Sequence, residues 1–530
     1  MKNSPTAPPP KFDILDLVAY LWLSAPLLLF IAGWIVLPLA LPLIAAFVLV
    51  SWRSIRPSFS GKVAVFEPYL RSWKDSVAIG CMFAVILFFA GLTGNWQQHS
   101  DFLVRNDIFY NLVSEGWPPH LDDHRYFIYY FQAWLPAALV GKITGWVVAQ
   151  WVYYIWCLLG IYLVLHYIFK YLGRITFVVG AFFLIWNGLE FIPGVLLRYG
   201  LEGGSLAPFI YVNNHILEPF DPFGTSFSIK SIIHHWLPIA LICGLCLQRE
   251  VLKKWGTFLG VLALMYSPIA AIFFLPVLVF LYCDLFFFVE KGDENDKRGG
   301  ANEMLRSACS PLSLVSYLIA ALVIVPYYLS ADQASPLKLD NLNMKMLFRL
   351  AYFMFFHAGI CAILIRKFCK KRLLWVALLS LLLCMVASAT VNTEMSMKGS
   401  AISSYYLFIL FSYSWQRAKH SDRVWFILYA IGISSYFITM HGAAAALAVG
   451  GILFFLLYHK RCAVVLLALF GCICFYLFPR KIQGIKDKLT GEKNIYSQRV
   501  GIYQADGGSG KWWWYKTFPM KDELPFWFRR

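Results

Sequence analysis

The stretch DLVAYLWLSAPLLLFIAGWIVLPLALPLIAAFVLVSW, residues 16–52, carries a single charged side chain, Asp16, along its whole length. An α-helix needs about 20 residues to cross roughly 30 Å of hydrocarbon, so this run has room for two crossings. In lipid the backbone must satisfy its own hydrogen bonds, which leaves helices or a closed barrel. Barrel strands would alternate apolar and polar residues over short segments, and the run does not alternate. A tight helical hairpin is the expectation. Arg53, Arg56, Lys62, Arg71 and Lys74 follow it and mark the cytoplasmic side by the positive-inside rule.

The pattern repeats outward from this hairpin. Of the 530 residues 59% are hydrophobic, 18% aromatic and 14% charged, too few charges to clothe a water-facing surface. The net charge of +17 is scattered in short clusters between apolar runs rather than gathered on one face. It points to topology, not to nucleic acid. The twelve Cys fall mostly inside apolar runs, Cys243 and Cys246 among them, and read as small apolar filler. Pro5, Pro8, Pro9 and Pro10 precede the first run without an Ala-x-Ala cleavage pattern, so the first helix is expected to stay.

Further spans are expected at residues 76–93, 147–169, 175–196, 231–248, 257–289 (a pair of short helices broken at Ser267-Pro268), 311–329, 345–365, 373–391, 400–416, 424–440, 442–458 and 462–479. The fold class is an all-α polytopic membrane protein of about 13–15 helices. Alternation puts the N-terminus in the cytoplasm and the loops at 94–146, 197–230 and 392–400 on the outer side. A membrane domain then covers residues 1–479, and 480–530 form a short outer tail with a Gly507–Gly510 joint and the aromatic run Trp512-Trp513-Trp514-Tyr515. The location expected for such a chain is a bacterial inner membrane, in contact with its lipids.

Charge is rare enough here to be informative. Asp101, Arg105, Asp107, Asp122, Asp123, His124 and Arg125 crowd the first outer loop. A carboxylate held at a membrane surface among aromatic residues is suited to take a proton from a sugar hydroxyl. The second loop adds Glu202, with His235 at the next helix start, and no spacing among these residues identifies a metal. Adjacent His234 and His235 should not share a helical face, and the surplus of carboxylates would suit magnesium or manganese better than zinc.

The run Ser100-Asp101-Phe102 through Arg105-Asn106-Asp107 to Asn111-Leu112-Val113, then Trp117-Pro118, Tyr129-Tyr130-Phe131 and Leu135-Pro136, resembles the first outer loop of bacterial GT-C-like membrane glycosyltransferases. Asp101 matches that pattern's opening Asp, whereas Asn111 and Arg105 depart from an Asp and a His. Asn187-Gly188-Leu189-Glu190 is similar to a Gly-Leu-Asp helix end, and Asn392-Thr393-Glu394-Met395-Ser396-Met397-Lys398 to an Asn-Asp-x-x-Met-Arg segment. The resemblance implies a GT-C-like bundle, an inverting enzyme that moves a sugar from a polyprenyl-phosphate donor to a cell-envelope glycan or lipid-linked acceptor on the outer side. It implies Asp101, Glu190 and Glu394 as catalytic carboxylates and Lys398 at the phosphate.

Two other classes fit many helices. An O-antigen polymerase or ligase would lean on outer-loop Arg or His, for which Arg105, Arg125, Arg198 and His124 are candidates. A transporter or flippase would place ionisable groups in broken helices at mid-membrane; here they concentrate at helix ends. If the topology holds, single cysteines placed at 94–130 and at 392–400 will react with a membrane-impermeant thiol reagent added to the same side. Reaction from opposite sides would dissolve the proposed site.

Overall fold

The computed structural model describes residues 14–56, 73–94, 101–122, 125–187, 232–287, 302–330, 343–369, 371–392, 394–430, 520–521 and 526–528, with a few single positions between. It is a helical polytopic membrane protein. Helices α1 (Ile14–Trp34) and α2 (Leu37–Ile55) form the first hairpin. They are followed by α3 (Trp73–Phe89), α4 (Asp101–Ser114), α5 (Leu135–Thr144), α6 (Trp146–Leu172) and α7 (Phe177–Ile185). Then come α8 (Ile233–Cys246), α9 (Arg249–Tyr266), α10 (Pro268–Phe287), α11 (Pro311–Leu329), α12 (Met344–Ile365), α13 (Lys371–Thr390) and α14 (Glu394–Arg417). Among the described residues seven of these are long and apolar enough to cross a membrane: α1, α2, α6, α10, α11, α12 and α13.

Local chemistry explains the breaks. Ser267 precedes Pro268, whose ring disfavours the helical conformation in the residue before it; Ser267 is extended at φ −162°, and α10 begins at the proline. Gly173 ends α6 at φ 72°, a left-handed conformation that glycine adopts without a Cβ penalty. Thr176, Ser310 and Asn343 cap α7, α11 and α12 with side-chain oxygens.

The expected boundaries need correction in four places. The outer segment 94–146 is not a loop: it holds α4, α5 and a hairpin of β1 (His120–Asp122) and β2 (Arg125–Phe127). Residues 394–400 are the first turns of α14, because Glu394 and Lys398 stand one helical turn apart and pair. The helix expected from 257 starts at Arg249, since Arg249, Lys253 and Lys254 continue it on a polar side. The span expected over 175–196 stops at Ile185, where Trp186 turns extended. The spans expected at 442–458 and 462–479, like the run Trp512–Tyr515, lie outside the described residues.

Contacts between helix ends fall into two groups. At one end Lys170 pairs with Asp16 at 2.8 Å, Tyr20 bonds Ser51, Lys253 pairs with Glu303, and Lys367 with Asp422 at 2.7 Å. At the other, Tyr328 donates to the Met265 carbonyl at 2.6 Å, Tyr327 meets Tyr129, and Trp34 packs on Trp117. Each contact joins ends that strict alternation of crossings puts on the same side. Large apolar side chains such as Leu49, Trp52, Ile155, Ile272, Leu275 and Trp375 are exposed around the bundle, as a lipid-facing surface requires. Inside, helices approach through small residues: a Cβ on Gly399 of α14 would collide with Cys384 of α13 and Phe273 of α10.

A third strand, β3 (Met520–Lys521), adds to β2 with Tyr126 opposite Lys521. The described residues of the expected outer tail thus pack against the β-hairpin and the α1–α2 turn. Phe528 is buried, and the Val36 N–H donates to the Trp527 carbonyl at 2.9 Å at the α1–α2 turn.

The buried Asp16–Lys170 pair, completed by the Tyr167 hydroxyl donating to Asp16 at 2.8 Å, ties α1 to α6. Asp16→Ala should lower stability in detergent by about 3–5 kcal/mol, because it leaves a buried ammonium uncompensated. Asp16→Leu combined with Lys170→Leu should recover most of that loss in the same unfolding measurement.

Candidate functional site

The site forms where α4, the Tyr129–Trp134 segment, α8 and α14 meet. Phe109 on α4 packs against Trp146 at 5.0 Å and Tyr153 at 5.6 Å, which seats α4 on α6 and brings Arg105, one turn earlier, inward. After the β-hairpin the chain is clasped at Tyr129. The Tyr327 hydroxyl accepts from the Tyr129 N–H and donates to its carbonyl, both at 3.0 Å. A short 3-10 turn, Phe131–Trp134, then leads into α5.

From α8 come His234 and His235, both buried. Their rings are 4.1 Å apart, so the expectation that neighbours on a helix must diverge fails at this first turn. His235 Nδ1 lies 3.2 Å from the Tyr266 carbonyl, and its ring meets Tyr130 edge-on at 4.5 Å. His234 stacks on Trp134 at 4.6 Å. From α14 comes Lys398, whose ammonium sits 4.9 Å from the centre of the Tyr130 ring and 2.6 Å from Glu394.

Two cations thus act on one aromatic and imidazole cluster. The charges of Arg105 and Lys398 both reach Tyr129, His234 and His235. Burial pushes the Tyr129 phenol up, and the two cations only partly oppose this, so the hydroxyl keeps its proton and remains a donor. A small cavity opens between Leu92, Arg105, Asn106, Phe109, Trp134, Gln150, Tyr153, Ile233 and His234.

Of the residues expected from the sequence, the structure brings together Arg105, His235, Glu394 and Lys398. Asp101 opens α4, and Asp107 lies further along it; Asp122 and Arg125 are paired across β1 and β2. The side chains of these four are outside the described residues, as are Asp123, His124, Glu190 and Glu202 altogether. Glu394 is exposed and held by Lys398, an arrangement that suits restraining the lysine better than taking a proton. Tyr129, Tyr130, Tyr327, Asn106 and Gln150 were not singled out for chemistry in the sequence; in a chain this rich in aromatics no local signal sets those tyrosines apart. Among the described residues no three His, Cys, Asp or Glu converge as metal ligands. Comparison with protein-family models, with curated protein sequences and with solved structures returned no match.

The clasp at Tyr129 is open to test. Tyr327→Phe leaves a peptide N–H and carbonyl without their partner and should cost about 1–3 kcal/mol of stability. Amide hydrogen exchange should accelerate over residues 129–131 and hardly change in α13.

Proposed function

We propose that the protein is a membrane glycosyltransferase that moves a sugar from a polyprenyl-phosphate donor to a cell-envelope glycan or lipid-linked acceptor. The reading is supported above all by the placing of Arg105 beside Trp134 and His234 and of Lys398 over Tyr130, whose ring packs on His235, so that two cations from helices far apart in sequence meet one aromatic cluster. Cations in such a setting favour an anion, and a departing lipid phosphate is the anion that sugar transfer releases. Tyr130 holds the Lys398 ammonium by its ring face and Glu394 restrains it from the rim. In this reading Asp101, at the start of α4, supplies the carboxylate near the acceptor.

Charge distribution supports the side. Arg53, Lys74, Lys170, Arg174, Arg249, Lys253, Lys254, Arg366, Lys367, Lys371, Arg372 and Arg417 gather at the end opposite the site. By the positive-inside rule that end is cytoplasmic and the site extracytoplasmic, in a bacterial inner membrane. A polymerase or ligase of lipid-linked glycans is a second reading, favoured by the Arg105, His234 and His235 grouping. It differs in product: a joined polysaccharide block rather than one added sugar.

Cells lacking the protein should accumulate a lipid-linked sugar and lose one glycan feature by mass spectrometry. Lys398→Ala and Arg105→Ala should each reduce transfer by roughly 10²–10³-fold, the scale of losing one preorganised charge donor. An unchanged glycan profile in cells lacking the protein would refute transfer.

A further inference from the structure

We propose that Trp527 and Phe528 are positioning residues of the candidate site, a C-terminal strap that keeps Tyr327 in its clasp on Tyr129. The proposal rests on the transfer reading for its activity readout and on geometry for the rest.

The strap answers a defect built into the sequence of α11. Pro326 has no N–H, and in a regular α-helix its ring would strike the carbonyl four residues back, that of Leu322. α11 relieves the clash by widening into a π-helical turn over Ala320–Ile324, with the Val325 N–H reaching back to the Ala320 carbonyl. The Leu322 carbonyl thereby lacks the donor that residue 326 would ordinarily supply. Trp527 takes that place, its indole N–H donating to the carbonyl at 2.8 Å. Such a partner matters in a bilayer, where no water replaces a missing backbone bond.

The same two residues are fastened to the first hairpin. The Trp527 carbonyl accepts from the Val36 N–H at 2.9 Å, and Phe528 forms an antiparallel bridge with Ile35, so the strap ties α11 to the α1–α2 turn. Phe528 is 1% exposed and lies along Tyr327, with ring centres 6.2 Å apart and planes inclined by 22°. Phe30 of α1 meets the same tyrosine edge-on at 5.0 Å. Held by these rings, Tyr327 aims its hydroxyl at the N–H and carbonyl of Tyr129. The next residue is Tyr130, whose ring carries the Lys398 ammonium and packs on His235. A shift of Tyr327 therefore moves the Tyr129–Tyr130 turn and, with it, the seat of a cation.

The test uses the full chain in proteoliposomes with the lipid-linked sugar extracted from cells that lack the protein. Trp527→Phe removes the indole N–H and keeps a ring, whereas Phe528→Ala removes the ring beside Tyr327. Each should speed amide exchange at Tyr129 by about tenfold, the scale of one lost hydrogen bond, and leave α13 unchanged. Each should lower kcat by about 10–10²-fold, the effect of misplacing a positioned group, with KM for the lipid within about twofold of the parent. Because Phe528 acts through the Tyr327 hydroxyl, Phe528→Ala added to Tyr327→Phe should slow turnover no further; a merely structural contribution would add to it. Should Phe528→Ala unfold, Trp527→Phe paired with Tyr327→Phe carries the same test. Parent-like exchange at Tyr129 in both variants, or losses that add to that of Tyr327→Phe, would overturn the strap and leave transfer standing. A parent protein that turns over no lipid-linked sugar, with Tyr129 exchange still quickened in the variants, would overturn the transfer reading and leave the strap standing.

Discussion

The structure depends on a constraint set by lipid: a charge or backbone polar group that cannot reach water must find its partner within the protein. Asp16 shows it most simply. It is the lone carboxylate of the first hairpin, and it is buried against Lys170 and Tyr167, so an apolar pair of helices is locked to α6 by one ion pair. The same demand governs the opposite end, where Lys398 is held between Glu394 and the face of Tyr130. Partnering of this kind, more than apolar contact, decides which helices are neighbours, because lipid tails compete equally for apolar surface.

From this follows the character of the candidate site. Lys398 is gripped by the face of Tyr130 and by Glu394, and its field acts together with that of Arg105 on His234, His235 and Tyr129. Rigid support comes from a distance: Tyr327 of α11 clasps the Tyr129 backbone, and Tyr327 itself stacks near Phe528 from the far end of the chain. An arrangement fixed from so many elements holds its charged groups in place before any ligand arrives.

Much of the fold was legible in the sequence. The hairpin at 16–52, the break at Ser267-Pro268 and the spans near 311–329, 345–365 and 373–391 emerge within a few residues of their expected places, because apolar length and proline chemistry act locally. Helix starts were less legible where charged residues belong to a helix, as at Arg249 and Glu394: a polar stretch reads as loop until its partner is known. In the site, Lys398, Glu394, Arg105 and His235 stood out by charge in an apolar chain. Tyr130 and the pairing of His234 with His235 did not, since both depend on packing between helices that share no local pattern.

The small sheet joins residues far apart along the polypeptide, with Tyr126 of β2 facing Lys521 of β3. During synthesis β2 leaves the ribosome long before its partner exists. The hairpin must wait, through synthesis of every intervening helix, for the strand that completes it. Completion of this sheet is thus a late event in the synthesis of the chain.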